Sequence, residues 1–327
     1  MWSNIIGHTR QIEQLRRALD GGRLPNAYLF TGPRGIGKRR VADTFAASLF
    51  CLAARERDWD PCGDCVPCHK LTGHNHPDFF LIEPMESERG AVQSIKIDPL
   101  RELKADLQFH PLEAPAKIAI IDGADRLVDA AANSLLKILE EPPDRTHFIM
   151  ITPFPERLLP TIRSRCQHMP FSPLPDSMLA EALILRKQLP EREAMRIARL
   201  AGGSLGTAEA LDPEFVEAVL GRFLALTSRA SSADIFETAQ AWKDLDPSRT
   251  LLIFDLLASF YRDVLRFQAT HEKDDVIHPE AAGPAGSCTT EHAIRCLAEI
   301  DSTRLAAETS ANKQLMFEQL LFTLSRQ

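Results

Sequence analysis

Six residues, Gly32-Pro33-Arg34-Gly35-Ile36-Gly37, stand between an apolar run, Ala27-Tyr28-Leu29-Phe30-Thr31, and a helical pattern from Lys38 to Phe50. A strand that feeds a glycine-rich turn and then a helix is the context of a P-loop. Backbone N–H groups and the helix N-terminus there cradle phosphate, and the lysine neutralises it. Such a loop needs a parallel sheet, and the first half of the chain supplies further strands. Asp78–Ile82, Lys117–Asp122 and His147–Thr152 are short apolar runs of the kind buried in parallel sheets. Helical patterns separate them. One runs from Thr9, a candidate N-cap, through Ile12, Leu15 and Leu19 to Gly21-Gly22. Another opens at Asp98-Pro99 and runs through Leu100, Leu103 and Leu107, and a third spans Ala130 to Glu141 and stops at Pro142-Pro143. The alternation predicts an α/β domain, a parallel sheet with helices on both faces.

Near residue 171 the texture changes. Pro170, Pro173 and Pro175 interrupt the chain, and helical pattern follows from Asp176 onward, punctuated by Gly202-Gly203 and Asp212-Pro213. We expect an α/β domain over 1–171 with an insert at 51–68, a small helical domain over 172–211 and an all-α domain over 212–327. Asp274 to Ser287, with Pro279, Gly283, Pro284 and Gly286, reads as an exposed loop. No internal repeat is visible. With 327 residues, 44% of them hydrophobic, the chain can bury a sizeable core without disulfides. Lys and Arg number 38 against 45 Asp and Glu, a net charge of −7, which excludes a whole-chain basic field for coating DNA. No apolar run is long enough to span a bilayer, and the N-terminus lacks the pattern of a secretory signal. A cytoplasmic location is expected, where cysteines are thiols or metal ligands before they are disulfides.

Two positions depart from what nucleotide hydrolysis needs. The residue after the P-loop lysine should carry a hydroxyl for Mg²⁺, and here it is Arg39, which repels a cation. Ile118-Ala119-Ile120-Ile121-Asp122 matches the strand-end aspartate pattern (Walker B) that places Asp122 near Mg²⁺. ATPases of the AAA+ kind put a glutamate next, and here Gly123 offers no side chain. Asp125 lies three residues past Asp122, on the following turn. Gly32, Gly35, Gly37, Lys38 and Asp122 are therefore expected to form a degenerate nucleotide site, with ATP binding weak or absent and no catalysis.

Cys51, Cys62, Cys65 and Cys68 form a separate constellation. Three thiolates at C-x-x-C-x-x-C spacing cluster in a knuckle, and Cys51 ends the preceding helix. Four thiolates match tetrahedral Zn²⁺ and leave no open position, so such a site is structural. An iron–sulfur cluster, a redox pair, or His69, His74 or His76 in place of Cys51 remain alternatives. Cys166, Cys288 and Cys296 show no ligand spacing and read as buried thiols.

Ala130-Ala131-Ala132-Asn133-Ser134-Leu135-Leu136-Lys137-Ile138-Leu139-Glu140-Glu141-Pro142-Pro143, the four cysteines, and Ser164-Arg165-Cys166 after a helix from Glu156 to Ile162 together resemble the bacterial clamp loaders of DNA polymerase III. The resemblance covers the first ~210 residues by motif. Its ATP-hydrolysing gamma/tau type needs the P-loop hydroxyl, the glutamate after the strand-end aspartate and a sensor arginine. These positions hold Arg39, Gly123 and, in Gly203-Ser204-Leu205-Gly206, Gly206. The three losses point to the delta-prime type, which looks like an ATPase but does not act as one. The resemblance implies an AAA+ domain, a helical lid and an all-α collar. It implies an assembly of one delta, three gamma/tau and one delta-prime that loads the sliding clamp on primed DNA, within a holoenzyme that is a DNA-directed DNA polymerase. It also implies that Arg165 serves as an arginine finger in a neighbouring gamma/tau ATP site, and that Thr152 falls at the first sensor position. Two other readings are an active AAA+ ATPase that uses Lys38, and a zinc-containing DNA-binding module with Arg34, Lys38, Arg39 and Arg40 as a basic patch.

Overall fold

The computed structural model describes residues 1–85, 94–229, 231–272, 276–286, 288–307 and 312–325. Five parallel strands, β1 (Ala27–Thr31), β2 (Phe79–Ile82), β3 (Lys117–Asp122), β4 (Thr146–Thr152) and β5 (Gln167–Pro170), form one sheet in the order β2-β3-β4-β1-β5. Helices α1 (Thr9–Asp20), α2 (Lys38–Phe50), α3 (Val66–Thr72), α4 (Ile97–Leu107), α5 (Asp129–Glu140) and α6 (Pro160–Arg163) accompany it. The central strands carry apolar side chains on both faces, as a doubly covered parallel sheet requires. Leu29, Ala119, Ile121, Phe148 and Met150 pack on one side with Leu100 and Leu103 of α4, Leu135 and Ile138 of α5 and Ile162 of α6. Tyr28, Phe30, Ile118, Ile120, Ile149 and Ile151 pack on the other with Leu15 and Leu19 of α1 and Val41, Ala42 and Phe45 of α2. The expected parallel sheet with helices on both faces is therefore present.

Three local expectations are corrected. Thr9 is the first helical residue of α1 rather than its cap; His8 precedes it in the left-handed region, φ 56°, and its ring Nε2 lies 2.6 Å from the Ile36 carbonyl. Helix α4 opens at Ile97 with Lys96 as its cap, one residue before the expected Asp98. The helix expected over Glu156 to Ile162 is broken into a 3-10 turn, Pro155–Arg157, and the single turn α6. Strand β5 had no apolar run to announce it: only Met169 of its four residues is buried, because an edge strand covers one neighbour.

The chain divides into two compact units, Met1–Ala194 with Gly202–Glu209, and Met195–Ala201 with Ala210–Gln327. The first holds the sheet and α7 (Asp176–Lys187). Helices α8 (Glu191–Leu200) and α9 (Leu205–Ala210) follow. The second unit is helical, with α10 (Pro213–Arg229), α11 (Ser232–Lys243), α12 (Pro247–Thr270), α13 (Ala282–Ala285), α14 (Thr290–Ala307) and α15 (Lys313–Ser325). Phe317 of α15 stacks on Phe254 of α12, with ring centroids 5.6 Å apart, and meets Trp242 of α11 edge-on. The described residues of the expected loop over 274–287 include buried positions and helical turns. Val276 and His278 are buried, Pro279–Ala281 and α13 are helical turns, and Asp263 Oδ2 accepts the N–H groups of Ile277 and His278 at 2.8 and 2.7 Å. Residues 274, 275 and 287 of that stretch lie outside the described residues. Among the described residues no helix is long and apolar enough to cross a membrane.

Candidate functional site

The glycine-rich loop leaves the buried strand β1 and bends back at once into α2. Gly32 has φ +136°, and a Cβ there would stand 2.2 Å from the Phe171 carbonyl oxygen. Gly35, at φ +72°, would meet Ser204 Oγ at 2.4 Å. Only glycine satisfies both positions. The Gly206 N–H donates to the Gly35 carbonyl at 2.8 Å, and a Cβ on Gly206 would sit 3.1 Å from Gly35 Cα. Close backbone approach thus occupies the place expected of a sensor arginine.

Lys38 is 5% exposed and does not reach outward. Its Nζ donates to the carbonyls of Gly32 and Pro33, both at 2.6 Å. Burial lowers its pKa to about 8, against the opposing pull of Asp122 and Asp125. Arg39 is held among acidic side chains. Its Nε donates to Asp43 at 2.8 Å, one terminal nitrogen donates to Glu83 at 2.8 Å, and that nitrogen lies 3.6 Å from Asp122. Burial works against the Arg39 charge, but Asp43, Glu83 and Asp122 hold its pKa above the ordinary value. For Asp122 burial wins, and its pKa is raised despite Arg39.

The next position is closed by packing. Gly123 has φ +78°, and a Cβ there would lie 2.9 Å from Pro84 Cγ. Asp125 sits on the 3-10 turn Ala124–Arg126, and its Oδ1 accepts the Thr152 hydroxyl at 2.8 Å. That hydroxyl in turn accepts the Phe154 N–H at 2.9 Å. Thr152 is therefore engaged within the chain. Of the four residues read as a basic patch, Lys38 is buried, Arg39 is paired with acids, Arg34 lies over the Phe154 ring at 5.6 Å, and Arg40 is exposed. Asp43, Glu83 and Pro84 were not foreseen. The signal available was an acid and a proline directly after an apolar strand.

The four thiols do come together, all within 4.8 Å of one another. Cys51 follows α2 in extended conformation, Cys65 caps α3, and Cys68 lies in its first turn. Cys51 Sγ lies 3.5 Å from Cys62 Sγ and 3.9 Å from Cys65 Sγ. A tetrahedral thiolate site with metal–sulfur bonds near 2.3 Å has edges of about 3.8 Å, so the donor set fits a metal ion. Cys51 is the fourth thiol of this group. His76 instead packs on the Phe50 ring, centroids 4.4 Å apart, and His74 faces Phe79 at 6.3 Å. N–H groups of Asp64 and Cys65 lower the Cys62 thiol to about 6, whereas burial raises the thiols of Cys51 and Cys68. The apolar core of the insert is small, Cys51, Ala54 and Cys68 with Trp59 at its edge.

Ser164-Arg165-Cys166 follows α6 on the surface. Arg165 is exposed but not loose: one terminal nitrogen donates to the Thr161 carbonyl at 3.0 Å, and the other to Glu140 at 2.9 Å. Cys166 donates to the Ile162 carbonyl, and burial raises its pKa to about 12.

The family model described as DNA polymerase III, delta subunit, matches residues 7–175. The DNA polymerase III subunit delta' of Bacillus subtilis is 33% identical over 94% of this chain and 90% of its own length. The subunit delta' of Pseudomonas aeruginosa is 33% identical over 78% of this chain and 76% of its own length. The subunit gamma/tau of Mycobacterium tuberculosis is 38% identical, but over 57% of this chain and 31% of its own length. The chain belongs to the delta-prime branch of the DNA polymerase III clamp-loader family.

Proposed function

We propose that this chain is a non-hydrolysing clamp-loader subunit that assembles with gamma/tau and delta, helps place the sliding clamp on primed DNA, and lends Arg165 to a neighbouring gamma/tau ATP site. In this reading 1–171 is the AAA+ domain, 172–211 the lid and 212–327 the collar. The observation that carries it is the seat of Arg39, whose guanidinium pairs with Glu83 and lies 3.6 Å from Asp122. A tethered monocation there competes with Mg²⁺ for the same carboxylate, and Mg²⁺ demands several oxygen ligands at short range. Gly123 under Pro84 removes the second requirement, a carboxylate to orient water. An arginine supplied in trans needs neither, because a fixed guanidinium stabilises charge developing on the γ-phosphate of another subunit's nucleotide.

The direct test is calorimetric titration of the isolated chain with ATP in Mg²⁺ and in EDTA. We expect no gain in affinity from Mg²⁺. Clearly tighter binding of Mg·ATP would contradict the assignment. Repair by substitution should also fail: Arg39→Thr with Gly123→Glu is expected to show no turnover, since position 123 keeps a left-handed backbone against Pro84.

The metal reading belongs with this function as scaffold. When bound, zinc would supply cross-linking of the insert and no reaction chemistry, because four thiolates leave no ligand position open. Metal-replete protein is expected to carry about one equivalent per chain, and chelation should loosen residues 51–72, as read by hydrogen exchange. Elemental analysis finding neither zinc nor iron would remove the metal from this account.

A further inference from the structure

Arg165 is held by two anchors of unlike kind. Thr161, one turn earlier, offers a backbone carbonyl at 3.0 Å, and Glu140, at the last position of α5, offers a carboxylate at 2.9 Å. The carbonyl belongs to the short helix α6, which ends two residues before the arginine. The carboxylate comes from a different helix, 25 residues away in sequence. A long side chain with ~2 kcal/mol of rotamer entropy gains little from one local contact, whereas a second contact from another element fixes its direction. The side chains of Arg165 and Glu140 are 37% and 44% exposed, so the pair is well screened and contributes little to stability. Its value lies elsewhere. A guanidinium has five N–H donors, and these two bonds use two of them. The remaining donors can still meet phosphate oxygens.

Resting on the reading of Arg165 given above, we propose that Glu140 is a positioning residue that pre-orients the Arg165 guanidinium for the γ-phosphate of the neighbouring subunit. In that hydrolysis water adds to the γ-phosphorus, the bond to the bridging oxygen breaks, ADP leaves with the electron pair, and the water's proton passes to solvent. Arg165 and Glu140 form and break no covalent bond. Glu140 acts before the step, by sparing the arginine a search among rotamers at the moment charge develops. The hydrogen-bonding oxygen, not the negative charge, is the useful feature, because a carboxylate beside a phosphate site also repels the phosphate.

The test is clamp-loading rate in reconstituted complexes that carry wild-type, Glu140→Ala, Glu140→Gln or Arg165→Ala chains at matched assembly. Glu140→Ala is expected to lower the kcat of loading roughly tenfold, because misplacing a functional group by about an ångström can cost up to ~10²-fold, with little change in KM for ATP. Glu140→Gln keeps an acceptor oxygen and should lose markedly less than Glu140→Ala. Faster loading by Glu140→Ala would mean that Glu140 parks the arginine away from its target, and would overturn the proposal. So would equal rates for wild type and Glu140→Ala when Arg165→Ala is impaired. Unimpaired Arg165→Ala complexes would instead refute the arginine-finger reading itself.

Discussion

Complexes that carry Arg165→Ala should assemble normally and load clamps poorly. Assembly is expected to survive because Arg165 is exposed and its pairing with Glu140 is screened. Loading is expected to fail because an arginine given in trans is typically worth ~10³–10⁵-fold in rate at the site it serves. On the proposed assembly of three gamma/tau subunits, one of them facing this chain, independent sites would lose only about a third of bulk hydrolysis. An obligatory firing order would lose far more. Arg165→Lys should not restore loading, since an ammonium cannot span two phosphate oxygens as a planar guanidinium does. Clamp loading and phosphate release measured on the same complexes separate these cases. Normal loading by Arg165→Ala would make the motif structural.

Loss of the Asp78 carboxylate should produce the largest fall in stability of any single polar substitution considered. Asp78 is fully buried at the entry to β2, and it accepts the N–H groups of Leu112, Glu113 and Ala114, each at 2.8 Å. This pins the loop between α4 and β3, and Glu113 of that loop also pairs with Lys70 of α3 at 2.6 Å. Asp78→Ala leaves three amides without their acceptor, at a cost of about 3–5 kcal/mol. In a unit of this size that lowers Tm by roughly 10 °C. Burial alone would raise the Asp78 pKa, but the three N–H bonds outweigh it and hold the carboxyl below its ordinary value. The stabilisation is therefore present above the ordinary carboxylate range and is lost as pH falls through the lowered value. Thermal melts of wild type and Asp78→Asn should converge as pH is taken from 7 toward 3. A gap that stays constant over that range would contradict this role.

Sequence reading went furthest where one residue type has few alternatives. The buried runs of β1, β3 and β4 are apolar on both faces, so each strand was visible without its neighbours. The four cysteines carry their chemistry in their spacing, and the structure gathers all four. What escaped were features made by approach rather than by type. Strand β5 shows its neighbour one buried residue, Met169, and its polar positions look like loop. Pro84 filling the space beside Gly123, and Gly206 against Gly35, depend on distances that spacing cannot supply. Arg39 was legible as a missing hydroxyl. Its partners Asp43 and Glu83, one turn on and one strand away, were not. The Pro and Gly content of 274–287 suggests an exposed loop, whereas Asp263 of α12, 14 residues before Ile277, ties the backbone at Ile277 and His278 down.

Phosphate release from ATP by the isolated chain, set beside Lys38→Ala, probes the account most directly. Lys38 is spent on the carbonyls of its own loop, Arg39 lies beside Asp122, and Gly123 is covered by Pro84. Both proteins should release phosphate at the same background rate, with and without Mg²⁺. Mg²⁺-dependent turnover in proportion to chain concentration, abolished by Lys38→Ala, would contradict it.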